Sequence, residues 1–296
     1  MELLRKPLAI DLYAGLGGWT EGLLAEGWDV TGFDIEAHVY GDERYPGKLV
    51  VQDVLTLHGS QFKDVDLIVA SPPCQAYSYM AMPWSLAKAK AAAIRADHTG
   101  VALADLNALF NACFRIQREA CEAAGRHIPM VVENVRGAQP WVGRAAFNYG
   151  SFYLWGDVPA LMPTAKIRGQ SDAVKHTGRT FCFPAGSANP EAVKGRTGKL
   201  HWGGPDALMT PAAQDGRKVP SFRFDGSGAS FQTASVRRTE GIKVGGDWFS
   251  DPTSLSRTSG SKSSARKRAS AQIAKIPLPL SQHIARVYRP RVMEVA

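Results

Sequence analysis

Long apolar runs are missing from this chain of 296 residues. The longest, such as Leu67 to Ala70 and Met130 to Val132, fall far short of the ~20 residues a bilayer-crossing helix needs. Cysteine is scarce, with 4 in all. Cys74, Cys113, Cys121 and Cys182 form no Cys-x-x-Cys and no Cys/His cluster at zinc spacing, which argues against a disulfide framework and against a structural zinc. No Gly-Lys-Ser/Thr is present, so a phosphate-cradling P-loop is disfavoured, and no Gly-x-Gly-x-x-Gly of a dinucleotide site occurs. Met1 to Pro7 lead into a short strand without the apolar core and cleavage site of a signal peptide, so the expected compartment is the cytoplasm.

What is present is an ordinary globular composition, 45% hydrophobic and 21% charged. A chain of this length buries about three quarters of its unfolded surface. The 35 Lys and Arg outnumber the 27 Asp and Glu, for a formal net charge of +8. The excess is uneven: Arg257 to Arg291 holds nine Lys or Arg and no acid. Such a tract suits a polyanionic partner or forms a solvated face.

The first 150 residues alternate strand and helix. Strands are expected at Leu8 to Tyr13, Trp28 to Phe33, Leu49 to Val51, Val65 to Ala70 and Met130 to Val135, with a helix over Thr20 to Ala25. Leu103, Leu106, Phe110, Cys113, Phe114 and Gln117 recur at helical steps, and Gly125 follows as a stop. The fold class is therefore α/β, a doubly wound, mostly parallel sheet covered on both faces, with ligands at the carboxyl ends of its strands. Residues 1–150 form the expected catalytic domain. The stretch 151–252 loses periodicity and reads as a smaller loop-rich domain or a long insertion. Residues 253–296 form a basic tail, with a helix over Ser264 to Ala274, a stop at Ile276 to Pro279, and a helix over Ser281 to Tyr288 that returns to the first domain.

Three segments carry chemistry. In Asp11-Leu-Tyr13-Ala-Gly15-Leu-Gly17-Gly18, glycines at a strand-to-helix turn either make a tight structural bend or let a ligand approach the backbone and a helix N-terminus. Asp34 ends the second strand, where a carboxylate can accept hydrogen bonds from ribose hydroxyls, and Asp53 follows the third. An adenosine-containing cofactor is favoured. In Ser71-Pro72-Pro73-Cys74-Gln75-Ala76-Tyr77-Ser78, two prolines stiffen the backbone before a thiol at the ligand edge, where a lowered pKa would make it a nucleophile. Cys113, Cys121 and Cys182 read instead as small buried hydrophobes. Glu133, in Val132-Glu133-Asn134-Val135-Arg136, ends a buried strand and is either an active acid or an ion-pair partner.

In motif, order and spacing these segments resemble the DNA cytosine-5 methyltransferases of phage and bacterial type, over about Leu8 to Gly150. The resemblance implies S-adenosylmethionine as cofactor, double-stranded DNA as partner, no required metal and a monomer. Cys74 matches the thiolate that attacks cytosine C6, and Glu133 the acid that contacts N3 of a flipped base. Tyr13 takes the place of an aromatic residue against the adenine, Asp34 that of the ribose acid, and Asp53 that of the acid reading the adenine amine. Gly15, Gly17 and Gly18 complete the implied cofactor site. Pro73, Gln75, Ser78, Asn134 and Arg136 are the implied substrate-binding residues. Tyr77 to Gly100, with Lys88, Lys90 and Arg95, is the expected DNA-clamping loop or else a solvated helical connection, and Arg266, Lys267 and Arg268 are expected on the DNA backbone.

The chain also departs from the family. Asn148-Tyr149-Gly150 is not followed by Gln-x-Arg-x-Arg, and Ala274 stands where an asparagine is common before Ile276-Pro277. Arg136, Arg179 or the basic tail are the expected substitutes. An RNA cytosine-5 methyltransferase of the same fold and an inactive DNA-binding relative are the alternatives.

Overall fold

The computed structural model describes residues 5–78, 84–163, 248, 251, 253–260 and 263–290. These lie in one compact unit that joins the stretch ending at residue 164 with the stretch beginning at 243. The expected recognition region lies mostly outside the described residues, as do Cys182 and Arg179.

A mixed sheet of seven strands carries the fold. In chain order the strands are β1 (Leu8–Leu12), β2 (Asp29–Asp34), β3 (Lys48–Val51), β4 (Leu67–Ala70), β5 (Met130–Asn134), β6 (Phe147–Tyr149) and β7 (Phe152–Gly156). Their spatial order is β3-β2-β1-β4-β5-β7-β6. The first five pair in parallel, while β7 runs antiparallel to β5 and β6. All four residues of β4 are buried, as expected of a central parallel strand covered on both faces.

The helices are α1 (Gly18–Ala25), α2 (Trp84–Ala96), α3 (Val101–Ala124), α4 (Gln139–Val142), α5 (Leu255–Thr258), α6 (Ser264–Ala274) and α7 (Leu278–Tyr288). Phe110, Cys113, Ile116 and Ala120 give α3 its buried stripe, and Gly125 ends the helix at φ 63°. On α7, Leu280, Ile284 and Ala285 are buried. Burial of each larger side chain contributes about 1.5–3 kcal/mol. That face lies against α1, so closely that a Cβ on Gly22 would overlap Ser281 Oγ. The Trp28 indole donates to the Ala285 carbonyl at 3.2 Å, and Arg286 pairs with Glu26 at 2.7 Å.

The described residues differ from the sequence expectation in three places. The sheet runs past residue 150, because Gly150 at φ 61° turns β6 back into β7. Residues 84–96 of the expected clamping loop are helical. Pro279 lies in the first turn of α7 instead of separating two helices, a position where its missing N–H has no intrahelical partner to lose.

Candidate active site

The glycine turn is built on three left-handed residues. Tyr13, at φ 59°, is the one non-glycine residue with positive φ among those described, and Gly15 and Gly17 follow at 53° and 74°. At Gly17 the constraint is steric as well, since a Cβ there would overlap Pro46 Cδ. The Tyr13 hydroxyl donates to the Leu109 carbonyl of α3 at 2.8 Å, which fixes the ring between β1 and α3.

Asp34 accepts from Gly15 N–H at 2.8 Å through Oδ2 and from Glu36 N–H at 3.3 Å through Oδ1. His38 Nε2 lies 3.7 Å from Oδ1. Burial works to raise the Asp34 pKa, but the His38 contact and the hydrogen bonds from Gly15 and Glu36 outweigh it and hold the carboxyl below its ordinary value. The same contact with Asp34 holds His38 above its own. A carboxylate offers about four acceptor sites, so Asp34 retains capacity for hydroxyl donors. Asp53 caps the turn after β3, its Oδ1 accepting from Leu55 N–H at 2.9 Å.

Behind the turn, Asp11 is 1% exposed and accepts from Thr20 Oγ1 at 2.7 Å. Thr20 Oγ1 also meets the Tyr45 hydroxyl at 2.5 Å. Burial pushes the Asp11 carboxyl up to about 8, against the pull of the Thr20 hydrogen bond.

The segment after β4 is held from several sides. Ser71 Oγ accepts from the Trp19 indole at 3.0 Å, and the Pro72 carbonyl accepts from Asn134 Nδ2 at 2.9 Å. The Cys74 carbonyl accepts from Tyr77 N–H at 3.0 Å and Ser78 N–H at 2.9 Å, closing a turn that leaves the thiol half-buried. On the neighbouring strand β5, Glu133 is 4% exposed.

A single cavity of about 720 Å³ joins these groups along the carboxyl edge of the sheet. Tyr13, Gly15, Gly18, Asp34 and Asp53 line it, and so do Pro73, Cys74, Gln75 and Glu133. The volume is in the range of small-molecule sites, ~300–1,000 Å³. Gly17 lies one residue outside the lining. Asn134 is buried behind Pro72, Ser78 is half-buried and Arg136 is exposed. Lys88, Lys90 and Arg95 are exposed on α2, with the Arg95 guanidinium 5.2 Å from the Trp141 ring centre.

The cavity's far wall comes from the basic tail, which the sequence offered as a substitute for the missing arginines while placing Arg266, Lys267 and Arg268 on DNA. Arg266 and Lys267 of α6 line the cavity, together with Ala271, Ala274 and Lys275. Lys267 pairs with Glu36 at 3.1 Å, Arg268 with Glu43 at 2.9 Å and Lys275 with Glu21 at 2.6 Å. Arg266 stacks 3.6 Å over Trp248. The three consecutive cations expected on DNA phosphates thus have partners within the chain. His38 and Tyr40 were missed, although their place just past β2 put them at the ligand edge. Cys113 is fully buried, and burial raises its thiol pKa. Cys121 is partly buried, its sulfur accepting from Ile128 N–H at 3.2 Å.

The family model of the C-5 cytosine-specific DNA methylases matches residues 8–86. No curated protein matches the chain. Among solved structures, a prophage-encoded protein of E. coli described as a candidate DNA modification methyltransferase is 24% identical, with 45% of this chain and 33% of that one covered and a TM-score of 0.30. The S. pombe Dnmt2 methyltransferase is 16% identical over 47% of this chain and 37% of its own, at a TM-score of 0.30. The Entamoeba histolytica methyltransferase EhMeth is 16% identical over 47% and 41%, also at 0.30. The chain thus spans between a third and about two fifths of the length of these structures. The matched segment 8–86 holds both the glycine turn and the Cys74 turn, so over that stretch the chain is similar to the C-5 cytosine-specific DNA methylases.

Proposed function

We propose that this protein transfers a methyl group from S-adenosylmethionine to C5 of cytosine in double-stranded DNA, acting as a monomer on a base flipped out of the duplex. The observation that carries this reading is the one continuous cavity with Asp34 and Asp53 beside β2 and β3, and Cys74 and Glu133 beside β4 and β5. Two strand spacings separate β2 from β4, about 10 Å, the scale of a nucleoside with a substituent on its ribose.

The residues fit the cofactor. Asp34, held ionised, would accept from the ribose hydroxyls, Asp53 would accept from the adenine amine, and Tyr13 would lie against the ring. Gly15, Gly17 and Gly18 leave the backbone open to the remainder. When bound, the cofactor supplies an electrophilic methyl group.

Cytosine C5 is a weak nucleophile, and the chain's groups would correct that. Cys74 Sγ adds to C6 while Glu133 supplies a hydrogen bond or proton at N3, which pushes electron density onto C5. After C5 has taken the methyl group, transfer of the C5 proton to solvent water and departure of Cys74 Sγ as a thiolate would restore the aromatic ring. Pro73, Gln75, Ser78 and Arg136 would face the flipped base, with Asn134 holding Pro72. Lys88, Lys90 and Arg95 are assigned to phosphate contact because they are exposed on α2. Arg266 and Lys267, engaged by Trp248 and Glu36, are assigned to the cavity wall, and Arg268, paired with Glu43, to the bracing of α6 beside it. Target recognition is assigned to the region that begins after β7, within 151–252.

Incubation with methyl-labelled cofactor and duplex DNA, followed by nucleoside analysis, tests the reading. Label in 5-methyldeoxycytidine supports it. Label in RNA alone would move the substrate to RNA, and cofactor binding without transfer to either polymer would leave an inactive relative.

A further inference from the structure

Asn107 lies on the buried face of α3, 6% exposed, and does not line the cavity. An amide at such a depth is costly unless it is hydrogen-bonded on both sides. Its Oδ1 accepts from the Tyr77 hydroxyl at 2.9 Å, and its Nδ2 donates to the Trp141 carbonyl at 2.9 Å. Each partner belongs to one half of the chemistry. Tyr77, 2% exposed, closes the Cys74 turn through its own N–H. Trp141 lies on α4, which the chain enters directly after Glu133, Asn134 and the short turn Arg136–Ala138.

A second tie closes the circuit, since Asn134 Nδ2 holds the Pro72 carbonyl on the other side of Cys74. Two routes therefore brace the thiol-bearing turn against the chain segment of Glu133. One runs through Pro72 and Asn134, the other through Tyr77, Asn107 and Trp141. Trp141 also carries the Arg95 guanidinium on its ring face, which joins α2 to the same junction.

We propose that Asn107 is a positioning residue that, through Tyr77, fixes the Cys74 turn against the segment following Glu133. Its catalytic consequence rests on the methyl-transfer reading, but its mechanical consequence does not. The Tyr77–Asn107 bond is buried and the Asn107–Trp141 bond part-buried, and the Tyr77 hydroxyl also reaches the Leu106 carbonyl of α3 at the longer distance of 3.2 Å, so loss of the Asn107 tie frees the turn by about tenfold in population, the scale of one such bond.

The test is native-state alkylation of the thiols by iodoacetamide, followed by mass spectrometry, in wild type, Asn107→Ala, Tyr77→Phe and the double variant. Tyr77→Phe removes a single hydroxyl and keeps the packing, so it remains informative where Asn107→Ala folds poorly. Cys113, buried on the same helix, reports global opening. The expected result is that Cys74 alkylates about tenfold faster in both single variants, no faster still in the double variant, with Cys113 as protected as in wild type. Unchanged Cys74 alkylation in Tyr77→Phe, or effects that multiply in the double variant, would overturn the proposal. So would parallel acceleration at Cys113, which marks Asn107 as a stability residue alone. Steady-state kinetics provides a second readout, with kcat about tenfold lower and KM for cofactor and DNA unchanged. A wild-type protein that transfers no methyl group refutes the functional reading while the alkylation rates still decide the role of Asn107.

Discussion

Asp11 offers a prediction in which the fold's own electrostatics are measured. Its carboxyl is buried under the glycine turn and titrates at about 8 in place of 3.8. Between those values the unfolded chain has released the proton and the folded chain has kept it. The folded state then binds more protons, so stability falls as pH rises through this window and levels off above about pH 8. At about 1.4 kcal/mol per pH unit, a window of that width makes the full span of order 5 kcal/mol, a large share of the ~5–15 kcal/mol that holds a domain together. Asp11→Asn retains an amide oxygen for Thr20 and removes the titration. Urea unfolding of both proteins at intervals from pH 5 to 9 should give a wild-type stability that declines steeply and a variant that declines far less. His38 adds a smaller decline to both, because its raised pKa contributes stability that is complete below 6.5 and lost as pH passes the folded value. Asp34 acts at the acid end, where its lowered pKa contributes stability that disappears only as pH falls through the folded value. Equal slopes in wild type and Asp11→Asn between pH 5 and 8 would refute the buried, protonated Asp11.

Other expectations address the cavity and the partner. Asp34→Ala should weaken S-adenosylhomocysteine binding about ten- to hundredfold by calorimetry, since a charge-assisted acceptor is worth about 1.5–3 kcal/mol. Replacing Lys88, Lys90 and Arg95 with Ala should weaken binding to all duplexes alike and flatten the dependence of log affinity on log salt by about 0.9 for each phosphate that is no longer neutralised. Lys267→Ala together with Arg268→Ala should leave that slope close to wild type and change cofactor binding instead, because the pairs they break are with Glu36 and Glu43. Glu133→Gln should slow methyl transfer by about a hundredfold or more while cofactor affinity holds, as measured in single-turnover assays.

Much of the sheet was readable because its signals are local. β1, β2, β4 and β5 are short runs with clear stops, a glycine turn after β1, Asp34 at the end of β2, Ser71-Pro72-Pro73 after β4 and Glu133-Asn134 at the end of β5, and α3 and α7 have apolar residues at helical steps. β6 and β7 escaped because three and five residues around Asn148-Tyr149-Gly150-Ser151 carry too little alternation to stand out from a loop. Pro279 was read as a stop because proline breaks a helix interior, yet the first turn tolerates it. The site divided along the same line. Asp34 and Glu133 stand at the ends of strands and Asp53 and Cys74 follow them, so the topology alone brought them to one edge. The basic tail was an expected substitute for the missing contacts, but its ion pairs were hidden, since Lys267 meets Glu36 across 231 positions and Arg268 meets Glu43 across 225. A charge run read by itself gives no sign of acids so distant. Tyr77 and Asn107 likewise looked like one residue in a loop and one on a helix until α3 brought them together.

Bond formation between Cys74 and C6 of the target cytosine can be trapped directly. Duplex DNA carrying 5-fluorocytosine at the modified site is incubated with the protein and S-adenosylmethionine, then resolved on a denaturing gel and digested for mass spectrometry. Fluorine cannot leave C5 as a cation, so release of the sulfur is blocked after methyl transfer. The expected result is a stable adduct that requires the cofactor, maps to the Cys74 peptide and is absent from Cys74→Ala. Normal methylation of cytosine by Cys74→Ala, or an adduct mapped to another residue, would contradict it.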